Sequence, residues 1–462
     1  MDRCETDYLI IGAGASGLAF ADTLLNETDS HITLVDRRGK AGGHWNDAYP
    51  FVRLHQPSSY YGVASLNLGH EGIDKTGLNK GFEELASGQE VATYFHKVMD
   101  DRLLLSGRVR FLSVSEYLGS CEVKHLPSDK ITQIDVRRRI VDARLLENGI
   151  PLTHQRKFDV APDVACIPPN YLPQNAHLHD HFTILGAGKT AMDSVLWLLE
   201  NGADAAQLRW VVPRDPWMIN RAFSQPSAAF YHESYGGTMR QMEAVKDATS
   251  IDDFTDRMEA ANLWMRLDPS VRPAIMHGPT VTMTELERLR EVRDIVRMGH
   301  VKTIEPAKME LAGGICSAPS GSLYVDCTAR ALGHTDTWPI FNDDRIALQM
   351  IRLYQPTFSA ALIAKIEASL DNDQQKNALA MPVPMTDTVQ SWLVSQIANG
   401  TNQFAWSQQP EIKTWIASCR LDGFGRAGRE VDRSDPKVRE IFDCIKAASM
   451  PAFINMQKLA SA

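Results

Sequence analysis

The sequence predicts an α/β protein with two Rossmann-like dinucleotide-binding domains, one inserted in the other, a helical insertion and a helical C-terminal tail. Three observations carry this reading. The stretches "DYLIIGAGASGLAFADTLL" (7–25) and "FTILGAGKTAMDSVLWLLENGA" (182–203) both read as a buried strand, a glycine turn and a helix. Apolar runs of four or five residues recur beside such helices, as parallel strands covered on both faces require. And 462 residues, 44% hydrophobic and 23% charged, suffice for two or three globular domains.

Residues 7–36 give strand, turn, helix and a second strand, "HITLVDRR". The excursion "RRGKAGGHWNDAYPFVRLHQPSSYYGV" is rich in glycine, proline and aromatics, a composition that commonly carries sites. "GQEVATYFHKVMDDRLLLSG" predicts a helix, "RVRFLSVSEYLG" a strand, and residues 119–158 antiparallel strands. The proline-rich 160–175 stretch is a crossover.

The second unit runs from His181 through "QLRWVVPRD". Residues 216–290 break the βαβ rhythm with helical candidates at 238–248 and 252–268, and "TELERLREVRDIVRMGHV" resumes with a helix. The expected domains are therefore 1–180 with 306–380, then 181–305 carrying a substrate-capping insertion at about 216–290, and a mainly helical region at 381–462.

A net charge of −9 speaks against a nucleic-acid surface. No run reaches the ~18–20 apolar residues of a membrane span, and the first strand starts almost at Met1, so the expectation is a cytoplasmic protein. Seven widely spaced cysteines, none in C-x-x-C, favour free thiols over a redox pair. His177, His179 and His181 have no acid partner placed beside them, and no metal site is assigned.

In "GAGASG", Gly12 permits the tight turn, Gly14 leaves room for a pyrophosphate, and Gly17 lets the helix pack on the sheet. Ser16 lies in that first helical turn, where free N–H groups and the helix dipole favour an anion. Asp36 ends the next strand 19 residues after Gly17, where a carboxylate can take ribose hydroxyls, with Arg37 beside it.

The second turn, Gly186 and Gly188 with Ala191, lacks the spacing of a Walker A loop. Lys189 and Thr190 open its helix. The following strand ends in Pro213 and Arg214 rather than a carboxylate, which favours NADPH over NADH through the 2′-phosphate. Two units in one chain then divide the work: FAD is held by the first, and NADPH visits the second.

These stretches, together with "GGHW" (42–45) and "RLHQPSSYYG" (53–62), make the chain resemble the class B flavoprotein monooxygenases. That group comprises flavin-containing, Baeyer–Villiger and N-hydroxylating enzymes. The resemblance implies FAD reduced by NADPH, a C4a-peroxyflavin formed with O2, and one oxygen atom inserted into a small organic substrate. It also implies that Gly43, His44 and Trp45 wrap the cofactor, and that Arg53 and Gln56 line the isoalloxazine as the catalytic pair.

Pro356, Thr357 and Phe358 begin a helix whose N–H groups suit the flavin ring. Tyr60 and Tyr61 are a ring wall, a phenol near the flavin, or ordinary packing, and the insertion's Trp217, Met218, Phe223, Phe230, Tyr231, Tyr235, Trp264 and Met265 are an apolar pocket wall or core. The partners expected are a small molecule and O2, with a homodimer as the assembly. An FAD-dependent NAD(P)H reductase or oxidase, and a non-catalytic flavin-binding protein, stay open as alternatives.

Overall fold

A computed structural model of the chain describes residues 2–146, 149–330 and 336–461. Its first sheet is built on the strand Asp2–Ile11, which pairs in parallel with Ile32–Val35 on one side and Lys130–Asp142 on the other. Val109–Leu112 extends one edge and Arg345–Ala347 the other, both in parallel. Ser115–Gly119, Glu122–His125 and the start of 130–142 form the expected antiparallel excursion. No strand lies within 149–158, however, because that stretch forms turns.

The helix Ala15–Glu27 packs against Pro356–Ser369, which is buried from Thr357 to Glu367. A helix buried on all sides needs cover all round, and the tail supplies it, pairing buried Lys365 with Glu411 and Glu367 with Lys376. Trp406 buries its ring beside Phe358 and donates its indole N–H to the Leu379 carbonyl.

The second sheet is fully parallel, with Phe182–Leu185 flanked by Leu208–Val211 and Leu323–Asp326. Asp294–Val296 and Cys166–Ile167 form its edges. This corrects the division at 305/306: Leu323–Asp326 belongs to the second sheet, and the hairpin strands at 308–317 join Val301–Glu305 beside it. Four consecutive buried residues satisfy either sheet equally, so their pattern carries no address. In chain order, the second sheet still falls between strands 130–142 and 345–347 of the first.

The insertion contains helices Tyr231–Asp247, Ile251–Ala260 and Met283–Leu289 around a three-stranded sheet. The predicted helix through 284–301 ends at Leu289, and the chain turns into the strand Asp294–Val296. Trp217, Phe254 and Trp264 form one core with Trp392 of the tail. The long tail helix Pro436–Ser461 lies on 231–247, where Asn455 donates to the carbonyls of Val245 and Ala248. Insertion and tail are thus one body.

All seven cysteines are free, and no helix among the described residues is long and apolar enough to cross a membrane.

Gly17 shows how tightly helix and strand meet: a Cβ there would lie 2.0 Å from the Gly12 carbonyl oxygen. Gly17→Ala should therefore lower stability by about 1–3 kcal/mol, read as a lower denaturation midpoint. Gly188→Ala, where a Cβ meets nothing within 4 Å, should leave the midpoint nearly unchanged.

Candidate functional site

The carboxyl edge of the first sheet opens on a cavity of about 770 Å³, within the ~300–1,000 Å³ of small-ligand sites. Gly12 adopts φ +107° at the turn, a conformation that only glycine takes freely. Asp36 accepts from the backbone N–H groups of Ala13 and Arg38, both at 2.8 Å, so the acid pins the glycine turn while its side chain lines the cavity. The exposed Arg37 side chain pairs with Glu116, and both residues line the cavity.

Gly14 and Gly43 face each other, and a Cβ on Gly43 would sit 2.9 Å from the Gly14 Cα. Between them the backbones of the "GAGASG" and "GGHW" segments make one cradle. Gly14, Ser16, Gly43, His44 and Trp45 all line it. Burial, with Arg38 nearby, holds the His44 pKa down to about 4. Trp45 donates its indole N–H to Tyr61, which fixes that pair as wall.

Arg53, His55, Gln56 and Tyr60 bring one loop to the same cavity. Arg53 donates to the Leu85 carbonyl at 3.2 Å and stays exposed. Fully buried Arg221 of the insertion donates to the His55 carbonyl, to Asn79 and to the Thr280 carbonyl, and pairs with Glu285 at 2.9 Å. That contact fixes the loop.

From the second unit come Lys189, Thr190 and Asp193. Lys189 pairs with Asp193, which also accepts from the Tyr49 hydroxyl at 2.7 Å. Tyr49 and Asp193 thereby join the two units, and burial, with Asp193 beside it, holds the phenol well above its usual range. Gly186 packs on the Cys327 carbonyl; neither it nor Gly188 lines the cavity itself.

Pro356 and Thr357 line the cavity, whereas the Phe358 ring is buried under the Arg352 guanidinium, 4.5 Å away. Arg214 lies at the strand tip as expected, and its side chain pairs with Asp387 of the tail. None of the eight aromatic and methionine residues named in the insertion lines the cavity; Trp217, Met218, Tyr231, Trp264 and Met265 are core. Helical spacing of such residues reads as packing here. The insertion reaches the cavity through His277 and Gly278 instead.

The residues that sequence reasoning missed are His55, Tyr49, Asp193, Tyr354, Gln355 and His277. Tyr49 and His55 stood within the excursion at 37–63, Asp193 within the second glycine unit, and Tyr354 and Gln355 directly before the helix start at Pro356; His277 lay in a stretch read only as insertion. Among the described residues, no group of three or more His, Cys, Asp or Glu could hold a metal ion, and His179 bonds to the Gly321 carbonyl.

Two features fit a large polar ligand such as FAD. The His55 Nδ1, the Tyr60 hydroxyl and both amide atoms of Gln355 are buried without a hydrogen-bond partner, and all three residues line the cavity. Buried polar groups normally find partners. Moreover, the helices beginning at Ala15, Lys189 and Pro356 all start at the cavity wall, and none is capped by a side chain. Their free N–H groups suit anionic phosphates or ring oxygens.

Residues 10–60 match the family described as NAD(P)-binding Rossmann-like domain. The chain is 45% identical over 421 residues to the uncharacterised protein Rv2000 of Mycobacterium tuberculosis H37Rv, covering 90% of this chain and 78% of the relative. Mb2023 of Mycobacterium bovis matches to the same extent.

Among solved structures, a flavin-containing monooxygenase from Stenotrophomonas maltophilia is 13% identical with a TM-score of 0.45, covering 90% of this chain and all of that one (100%). An open form of cyclohexanone monooxygenase gives 11% and 0.48, with 97% and 98% covered. The bacillithiol disulfide reductase Bdr of Staphylococcus aureus gives 11% and 0.46, with 79% and 98% covered. At such values the fold rests on the strand pairing described above.

Burial, with Lys189 and Arg221 close by, holds the His55 pKa down to about 3, against 6.5 for a free histidine. The unfolded chain therefore binds a proton that the folded chain refuses, and stability present above about pH 6.5 is lost as pH falls toward 3. His55→Gln should flatten the pH dependence of urea unfolding between about pH 6 and 4 by up to ~1.4 kcal/mol per pH unit. An unchanged slope would place a charged His55 in the folded protein.

Proposed function

We propose that this chain, which belongs to one family with the mycobacterial proteins Rv2000 and Mb2023, is an FAD-dependent, NADPH-consuming monooxygenase acting on a small organic molecule. The observation that supports this most is the convergence of three uncapped helix starts on one cavity that carries orphaned polar groups. The class B resemblance of the glycine turns and of the segment after them points the same way.

Residue by residue, Gly12, Gly14 and Ser16 would hold the FAD pyrophosphate at the first helix start, which Gly17 lets pack against the turn without itself lining the cavity, with Asp36 and Arg37 at the ribose end. Gly43, His44 and Trp45 would close over it. Gln355, Pro356 and Thr357, with the Phe358 backbone, would meet the flavin ring. Gly186, Gly188, Lys189, Thr190 and Arg214 would receive NADPH.

The flavin supplies electron transfer and oxygen activation; the protein's own work is to bind, orient and exclude water. Arg53 and Gln56 project from the loop that Arg221 fixes, so their reach into the cavity is set by the insertion. Arg53 offers a positive charge where negative charge develops, and Gln56 offers both a donor and an acceptor. His55 is neutral at pH 7 and gives or accepts a hydrogen bond without adding charge.

Purified protein should be yellow, and NADPH under anaerobic conditions should bleach its visible flavin band. On admitting O2 with a cosubstrate, less hydrogen peroxide should form than NADPH is consumed; stoichiometric peroxide would favour the oxidase alternative. Gly14→Asp, which places a carboxylate in the cradle, should yield colourless protein with an unchanged circular dichroism spectrum. Retained flavin would overturn the assignment of the first turn.

A further inference from the structure

The second crevice already contains an anion supplied by the chain itself. Leu208–Val211 and Leu323–Asp326 lie on either side of Phe182–Leu185, all three in parallel. Their carboxyl ends flank the turn at Gly186, and Arg214 and Arg330 follow those two ends by three and four residues. Strands separated by one neighbour lie roughly 10 Å apart. A group that reaches both arginines therefore sits across the mouth of the crevice, where dinucleotides bind in such sheets.

Asp387 is that group. Its carboxylate lies 3.5 Å from Arg214 and 3.9 Å from Arg330, and accepts from His277 Nε2 at 2.7 Å. The backbone of Asp387 is held independently: its carbonyl accepts from Met276 N–H, and its own N–H donates to Ser391 Oγ at the start of helix Val389–Ser407. The side chain can leave the arginines by rotating while the backbone stays in place. With two arginines and one carboxylate, the cluster keeps a net positive charge and can exchange its anion for a stronger one.

We infer that Asp387 is a tethered competitor for the phosphate of the incoming nicotinamide nucleotide. It occupies Arg214 and Arg330 when the crevice is empty and yields them to the ribose 2′-phosphate when NADPH binds. This rests on the NADPH reading above. The arrangement gives the tail a role in cofactor exchange: it neutralises the exposed arginines between turnovers and weakens retention of the spent nucleotide.

A dianionic phosphate outbids a single carboxylate, whereas a nucleotide lacking the 2′-phosphate gains nothing from the arginines. Competition should therefore cost NADP⁺ more than NAD⁺.

Calorimetric titration of the purified flavoprotein with NADP⁺, NAD⁺ and 2′,5′-ADP tests this. Asp387→Asn keeps an acceptor for His277 and removes the charge; it should bind NADP⁺ and 2′,5′-ADP roughly threefold or more tighter than the wild type, with a smaller change for NAD⁺. Asp387→Glu, which keeps the charge, should resemble the wild type, and Asp387→Ser replaces the asparagine variant if that one melts early. Arg214→Ala should weaken 2′,5′-ADP binding and abolish the gain from Asp387→Asn. Wild-type binding of NADP⁺ with no gain in either neutral variant would overturn the competition alone. Failure of wild type and neutral variants alike to bind any nicotinamide nucleotide would overturn the NADPH reading beneath it.

Discussion

One buried guanidinium holds the site together. Arg221 has no exposed side-chain surface, and its hydrogen bonds run to the loop at His55, to the excursion at Asn79, and to the insertion's own Thr280 and Glu285. A charge so enclosed must have every donor satisfied, so its partners cannot drift independently. Losing one partner of a buried pair typically costs about 3–5 kcal/mol, because the other charge is left uncompensated. The segment that carries Arg53 and Gln56 therefore keeps its shape only while the insertion is seated. The geometry of the first unit depends on a residue more than 160 positions later in the chain.

The same logic explains the joint between the two units. Tyr49 from the first and Lys189 from the second meet on a single carboxylate, Asp193. A hydrogen-bonded phenol and an ion pair on one group fix both distance and orientation, where apolar contact alone would allow sliding. The cavity is the space that remains once these polar contacts are satisfied. Its orphaned atoms, at His55, Tyr60 and Gln355, mark where the protein's internal pairing stops.

Both glycine turns were legible because strand, turn and helix are local: each feature depends on neighbours within about twenty residues. Gly12, Gly14 and Gly17 occupy the places their spacing implies, and Asp36 pins the same turn. Helical insertion and tail were legible too, as departures from the strand–helix rhythm. What escaped notice depends on contacts between distant segments. Leu323–Asp326 could sit in either sheet; His277 and Asp387 meet across 110 residues; and the insertion's aromatics found partners outside a pocket, Trp264 on Trp392 and Tyr231 and Tyr235 on Phe442. Local pattern reports burial well, but it does not report what a residue is buried against.

The nested chain order also governs how the molecule can be made. Arg345–Ala347, which completes the first sheet beside 130–142, and the helix 356–369, which covers 15–27, emerge from synthesis about 200 to 340 residues after their partners. Until then the apolar face of the first helix and one edge of the first sheet lack their cover. Such late closure raises contact order and lengthens exposure of an unpaired edge to other chains. The second sheet also needs Cys166–Ile167 and Leu323–Asp326 from outside its glycine unit. Neither half is therefore a separable module: cut at the obvious boundary, each fragment would lack strands that the other carries.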